Sequence, residues 1–314
     1  MSEQTMSFQL NTAPIVFFVY NRPQHTRQTI KSLQRNVLSR VSELFIYSDG
    51  PRSEEDKPLV EDVRNYIKSI DGFKRVEIIE REENLGLADN IIDGVTAVVN
   101  RYGSVIVLED DLVLTEYFLD FMNEALKVYK NDERVMHISG YIFPIEAQGL
   151  PETFFLRVAS CWGWATWSRA WKYLEKDVDK CMAQFNRRMI KSFNLENSRD
   201  FWAQIVRNKR GTRNTWAIFW YASVFLRDGL CLHPRVALVQ NIGHDGSGTG
   251  CGVSKRYSVT LTKKPLSAFQ ENICEDKDAL ARLTQFFRTM KPPFHRRLGN
   301  FIKRKSGISW KARS

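Results

Sequence analysis

Three carboxylates stand side by side at Glu109, Asp110 and Asp111, directly after the uninterrupted apolar run Val105-Ile106-Val107-Leu108. Carboxylates at that spacing repel one another unless a proton or a cation intervenes. A hard divalent cation, Mg²⁺ or Mn²⁺, bridging to substrate phosphates answers that repulsion; a solvated acidic turn is the plainer alternative. A second pair of metal-ligand and acid–base types, His244 and Asp245, lies in Asn241–Gly252, where five of twelve residues are glycine. Such a segment holds neither helix nor strand. It is either a linker or a loop that closes over a ligand, and a linker would more usually lack the His-Asp pair. Neighbours in an extended loop point opposite ways, so the two would face different groups. The third concentration of chemistry is Ser160–Trp171 (SCWGWATWSRAW), with four of the eight tryptophans. It reads equally as a wall for a sugar ring, with Gly163 allowing close approach, or as an aromatic mini-core under a loop.

Apolar patterning says what must position these groups. Val105–Leu108 is too short for a helix and reads as a strand buried on both faces, which places the acids at its carboxyl end, the edge where open α/β sheets bind ligands. Pro14–Tyr20 is a second such strand. Pro23 suits the first turn of the helix that follows, with Ile30, Leu33 and Val37 on its apolar face. Strands are expected over 44–47 and 76–79. The spacing predicts a helix over 59–70, with Leu59, Val63, Tyr66, Ile67 and Ile70 inward, and another after Asn84-Leu85-Gly86 carrying Ile91, Val95 and Val98. Thr115 suits a cap for a helix striped by Phe118, Phe121, Met122, Ala125, Leu126 and Tyr129, and a short strand follows at 135–139. This βαβα order implies a parallel sheet with right-handed crossovers. Beyond it, a strand at 154–158, polar helix at 175–213, a core helix around Trp216–Phe225, and a strand pair broken by Pro234 are expected; from about Leu266 the chain reads as charged helix.

The 314 residues suffice for one large α/β domain with a small appendage. No window reaches the ~18 to 20 apolar residues of a membrane span, and no secretory signal is expected at the N-terminus. Cys161, Cys181, Cys231, Cys251 and Cys274 are scattered and never in CxxC spacing, which argues against zinc and a disulfide framework and fits a reducing cytosol. The formal charge of +10 gathers partly at the end, where Lys291, Arg296, Arg297, Lys303, Arg304, Lys305, Lys311 and Arg313 meet no acid. Interleaved with Phe294, Leu298, Phe301 and Ile302, this stretch suits an anionic membrane surface or a packed surface helix.

PIVFFVYNRP, FIYSDG, ENLGLADN and VIVLEDD, taken in order, resemble the successive strand ends of GT-A nucleotide-sugar glycosyltransferases, most closely the bacterial family-2-like polysaccharide enzymes. A weaker likeness, through the EDD cluster, is to the N-acetylglucosaminyltransferase I group. WGWATWSRAWK and LVQNIGHDGSGTG strengthen the bacterial reading, and the matches run from about Pro14 to Gly252. The resemblance implies a GT-A, Rossmann-like α/β fold: a mostly parallel sheet flanked by helices in a domain over 1–260, with a nucleotide-binding half (about 14–140) and an acceptor half (about 141–260), then a basic helical extension over 261–314.

It also implies roles. Asn21 and Arg22 lie where the family meets the nucleotide, Asp49 where it contacts the base, and Asn84 and Gly86 where the diphosphate or donor sugar passes. Glu109, Asp110 and Asp111 match the DxD-type motif, with Asp110 near the ribose or the metal and Asp111 as direct ligand; His244 is a further metal or phosphate ligand. Trp162, Gly163 and Trp164 are the acceptor-wall candidates. Inverting enzymes of this fold carry an acidic base near the acceptor, but Arg213–Trp220 (RNTWAIFW) has no carboxylate, so Asp245 and, behind it, Asp200 are the substitutes.

The expected activity is metal-assisted transfer, with Mn²⁺ or Mg²⁺, from a nucleoside-diphosphate sugar to a hydroxyl of a surface glycan such as an O-antigen or capsule unit, free or lipid-linked. The expected location is the cytoplasm, with the basic tail as a peripheral hold on the inner membrane face. Rivals are a nucleotidyltransferase, disfavoured because NRPQHTRQ lacks glycine, a nucleic-acid-binding module, disfavoured by the acids, and a non-catalytic nucleotide binder of the same fold.

Overall fold

The computed structural model describes residues 12–248 and 252–290. In chain order the elements are β1 (Ile15–Val19), α1 (Pro23–Gln34), β2 (Glu43–Ser48), α2 (Lys57–Ile67), β3 (Arg75–Glu80), α3 (Leu87–Tyr102), β4 (Ser104–Glu109), β5 (Leu112–Leu114), α4 (Phe118–Val128), β6 (Val135–Ser139) and β7 (Thr153–Leu156). There follow β8 (Trp164–Trp167), α5 (Ser168–Trp171), α6 (Val178–Ala183), α7 (Arg187–Phe193), α8 (Trp202–Lys209), α9 (Ala217–Leu226), β9 (Leu230–Pro234), β10 (Val239–Asn241) and α10 (Lys277–Thr289).

Eight strands form one sheet in the order β3-β2-β1-β4-β8-β6-β9-β7. Strand period two explains how it is covered. Ile15, Phe17, Val19, Ile46, Ile106 and Leu108 face Ile30, Leu33, Val63 and Ile67 of α1 and α2. Val16, Phe18, Phe45, Val105 and Val107 face Ile91, Val95 and Val98 of α3. Both faces are dry, which is why these strands read as unbroken apolar runs. The expected GT-A-like α/β sheet flanked by helices is what the chain forms.

Four of the seven strand pairings are parallel; β8 lies antiparallel between β4 and β6, and β7 antiparallel to β9. The strand after Gly229 therefore does not pair with the one after Pro234. β9 joins the large sheet, while β10 pairs antiparallel with β5 in a separate ribbon. That ribbon matters, because it ties the glycine-rich segment to the residues that follow the acids.

Several expectations fail at element ends. Val37 leaves the α1 face for a 3-10 turn and is 79% exposed, and Leu59 points outward while Val60 takes its place in the core. Thr115 does not cap α4: its carbonyl accepts from the Phe118 N–H, and its buried hydroxyl has no partner. Residues 266–276 are irregular rather than helical, and Leu266 and Phe269 pack on the main core. α10 buries Ala279, Leu283 and Phe287 in the core of the second half. The basic stretch from Lys291 onward lies outside the described residues. Among the described residues no helix is long and apolar enough to cross a membrane.

Candidate active site

Parallel register brings three strand ends to one edge. Phe18 of β1 stands opposite Tyr47 of β2 and Glu109 of β4, so the residues just beyond them, Asn21-Arg22, Asp49 and Asp110-Asp111, share one rim. α1 then fixes the acid turn with a buried polar ladder. The Thr29 hydroxyl donates to the Asp110 carbonyl (2.8 Å) and accepts from the Leu112 N–H (3.2 Å). Ser32 accepts from the Leu114 N–H (3.1 Å) and Asn36 from the Leu119 N–H (2.9 Å). These residues were missed in the sequence; their spacing of three and four along an otherwise apolar helix face was the available signal.

Arg22 closes the turn from the other side. Its guanidinium donates to the Asp110 carboxylate and, at 3.2 Å, to Asp111 Oδ2. The repulsion inferred from the sequence is real. Burial, then Asp111 and Asp110, pushes the Glu109 carboxyl up to about 8. Burial raises Asp110 to about 6 even though Arg22 opposes the shift.

The ribbon of β5 and β10 brings in the glycine-rich segment. The Ile242 N–H donates to the Asp111 carbonyl (2.8 Å), and Asn241 Nδ2 donates to Asp111 Oδ1 (3.3 Å). Gly243 lies against the same carboxylate: a Cβ there would fall 2.1 Å from Asp111 Oδ2 and 2.9 Å from Arg22 Nη1. Beyond it His244 and Asp245 do point opposite ways. His244 turns toward Trp162 and Tyr257, with ring centroids 5.4 and 5.3 Å away, and its buried Nε2 has no hydrogen-bond partner. Asp245 turns toward α1, where Oδ2 lies 3.0 Å from His25 Nε2, and Oδ1 accepts from the Ser247 N–H and hydroxyl.

Five expected roles therefore change. Asp245 is held down to about 2, first by the Ser247 hydroxyl and N–H, and faces α1: a latch for the loop, poorly suited to accept a proton. Asp200 is exposed and accepts from the Ala203 N–H (3.1 Å) at the start of α8, where it caps that helix and touches none of the site residues. Asp49 is only 4% exposed, and four donors saturate its carboxylate. Oδ1 accepts from Gly50 N (3.0 Å) and Leu85 N (2.9 Å), Oδ2 from Gly86 N (3.0 Å) and Asn84 Nδ2 (3.2 Å). It pins the 84–86 loop to the end of β2 and offers no free oxygen to a base. The Asn84 amide belongs to the same lock, donating also to the Gly50 carbonyl (2.7 Å). Asn21 sits at the rim but donates to Asp56 Oδ1 (2.8 Å).

The tryptophan tract divides at Gly163, just before β8 begins. Trp164 is fully buried, stacked between His137 and Trp216 at 5.3 Å each, so it is core and not a wall. Gly163, with φ +63°, is buried because a Cβ would meet Val239 and Phe118, so its backbone freedom serves packing. Trp162 alone turns to the site, edge-on to Tyr141 (4.6 Å) and near His244 and Tyr257. Tyr257, half-buried and unmarked in the sequence, lies beside it, and the fully buried Tyr141 supports both from beneath.

Residues 15–132, spanning the strand ends and the acid turn, match the family model described as Glycosyl transferase family 2, which bears out the resemblance and supports glycosyl transfer. A search of curated proteins finds no match. Among solved structures, TarS of S. aureus is similar at 12% identity and TM-score 0.29 over 40% of this chain and 21% of that one. Its 1–349 piece is similar at the same identity and score, over 34% of its length. A mannosyltransferase, PcManGT from Pyrobaculum calidifontis in complex with GDP-Man and Mn²⁺, is similar at 11% identity and TM-score 0.37 over 68% of this chain and 69% of that one. The chain thus spans about a fifth to a third of the two staphylococcal structures.

Proposed function

We propose that the chain transfers a sugar from a nucleoside diphosphate to a hydroxyl of a surface glycan, with a divalent cation at the acid turn. The observation that carries this reading is the crowding of Glu109, Asp110 and Asp111 at the carboxyl edge of the sheet, with the Gly243 backbone against Asp111. Among the described residues no three His, Cys, Asp or Glu side chains already converge as a ready-made metal site. The donor set nonetheless fits a hard cation: Asp110 and Asp111 supply carboxylate oxygens, and His244 has a buried ring nitrogen without a partner. When bound, Mn²⁺ or Mg²⁺ would neutralise charge on the departing diphosphate. Arg22, now paired with Asp110 and Asp111, supplies a second positive group to the same phosphates. Trp162 and Tyr257 offer faces on which an acceptor sugar can rest.

The test is calorimetric binding of UDP, GDP, CDP and dTDP with and without Mn²⁺, repeated on Asp111→Asn. The expected result is one nucleotide that binds only with metal and fails in the variant. Absence of binding by all four, with and without metal, would return the triplet to a surface acidic turn.

A further inference from the structure

A second concave feature lies away from the acid turn. The segment 211–214, between α8 and α9, closes a cavity of about 450 Å³ lined by Lys176, Asn208, Thr212, Arg213, Asn214 and Phe219, among others. No residue of the acid turn or of the described glycine-rich loop lines it. The Asn208 side chain frames it: Nδ2 donates to Thr215 Oγ1 (2.8 Å) and Oδ1 accepts from the Thr215 N–H (3.0 Å).

The cavity is positively charged. Lys176 Nζ donates to Asn214 Oδ1 (2.7 Å), stands 5.2 Å from the Phe219 ring centroid, and meets no carboxylate. Arg213 is exposed at the mouth and, like Arg207 and Arg210 behind it, forms no ion pair among the described residues. The neighbouring acids are engaged: Asp179 is held by Lys209, Asp177 accepts N–H bonds at the start of α6, and Asp89 accepts from Asn214 Nδ2 at 3.2 Å. That last bond also locates the cavity. Asp89 lies in the first turn of α3, which follows the carboxyl end of β3, so Asn214 in the cavity's lining sits at the edge of the sheet that also carries the acid turn.

We infer that this cavity binds a phosphate or diphosphate group carried by the acceptor, an assignment that rests on the glycosyl-transfer reading. The lining holds two cations and no carboxylate, which matches a group of about two negative charges better than a single carboxylate. Arg213 offers a planar fork and Lys176 a point charge, the usual division of labour around phosphate. An acceptor anchored there would lie on the same rim as the donor.

The full chain is titrated calorimetrically with inorganic pyrophosphate in EDTA, where the acid turn repels the probe. The expected result is binding that weakens at least about tenfold in K176Q/R213Q and about threefold in R213Q alone, a change at an exposed position that leaves the fold intact. No pyrophosphate binding by the wild type, or equal binding by the variants, overturns the assignment. A parallel titration with nucleoside diphosphate and Mn²⁺ reads the donor site: it should be unchanged in K176Q/R213Q and lost in D111N, which keeps its pyrophosphate binding. Failure of the donor reading appears in that titration alone, and failure of the cavity in the first alone. Vesicles of phosphatidylcholine with phosphatidic acid separate the sources. The basic stretch from Lys291 can hold such vesicles by itself, so the reading is the difference between wild type and K176Q/R213Q: vesicle affinity that falls with the substitution assigns a lipid-borne phosphate, and equal vesicle affinity with weakened pyrophosphate binding assigns a soluble phosphorylated acceptor.

Discussion

Replacing Asp49 by Asn removes one charge and keeps the shape, yet the lock at the end of β2 should not survive it. The carboxylate accepts from three backbone N–H groups and one side-chain amide, two donors on each oxygen. An amide has one acceptor oxygen, so in either orientation its NH₂ faces two donors. Two bonds to a charged acceptor are lost, at about 1.5–3 kcal/mol each, and backbone N–H groups are left buried and unpaired. The expected destabilisation is about 3–5 kcal/mol, a large part of the ~5–15 kcal/mol that holds a domain together. In urea this moves the unfolding midpoint down by roughly 1 M or more. Gly50→Ala should do the same by another route, because its Cβ would fall 2.4 Å from the carbonyl carbon of Glu83. The alternative is that Asp49 contacts the nucleotide base. In that case D49N would unfold within about 1 kcal/mol of the wild type and change only which nucleotide binds. That pair of results would refute the lock and restore the base contact.

Four further outcomes are expected. Gly243→Ala places a methyl on the Asp111 carboxylate, so metal-dependent nucleoside diphosphate affinity should fall at least about tenfold by calorimetry. Arg22→Gln removes the partner of the buried Asp110 and the half-buried Asp111, and thermal or urea unfolding at pH 7 should show a loss of about 3 kcal/mol. Raised carboxyls stabilise the fold while protonated, so that contribution is present below pH 4, falls as pH rises through about 6 for Asp110 and about 8 for Glu109, and is opposed by a cation. In EDTA the thermal midpoint should therefore drop between pH 5 and 8 more in the wild type than in D110N, and Mn²⁺ should recover it. Trp164→Ala should cost about 3–5 kcal/mol in urea unfolding. Trp162→Ala should cost less than half of that and instead raise KM for the acceptor.

The strands were legible because both faces of the sheet are dry: Val105–Leu108 and Ile15–Val19 have no polar position to confuse with any other element. The acids at the end of β4 followed at once, since a strand of known direction fixes what lies beyond it. What stayed hidden depended on pairing between distant residues. Nothing local in Val239–Asn241 says that it leaves the main sheet to pair with Leu112–Leu114, yet that ribbon sets Gly243 on Asp111 and decides which way His244 and Asp245 turn. For the same reason Asp49 looked like a ligand contact. A carboxylate in a Ser-Asp-Gly turn has the same appearance whether its acceptors meet a nucleotide or the Asn84 amide and the Leu85 and Gly86 N–H groups 35 to 37 positions away.

The tryptophans show the limit most clearly. Composition joined Trp162 and Trp164, and two such residues of one strand would share a face, but the strand begins only at Trp164, after the left-handed turn at Gly163, and nothing local marks that start. Once Val107 pairs with Trp164, that ring must enter the layer between the sheet and α9, and Trp162, two residues earlier and before the strand begins, is released by Gly163 to the rim. The proposed acceptor surface therefore draws on one tryptophan of the tract and on Tyr257, held from beneath by the buried Tyr141, whose hydroxyl donates to the Tyr257 carbonyl at 2.8 Å. A site built in this way tolerates sequence change in the tract wherever the core volume is kept. It does not tolerate loss of the ribbon that holds His244 against Trp162.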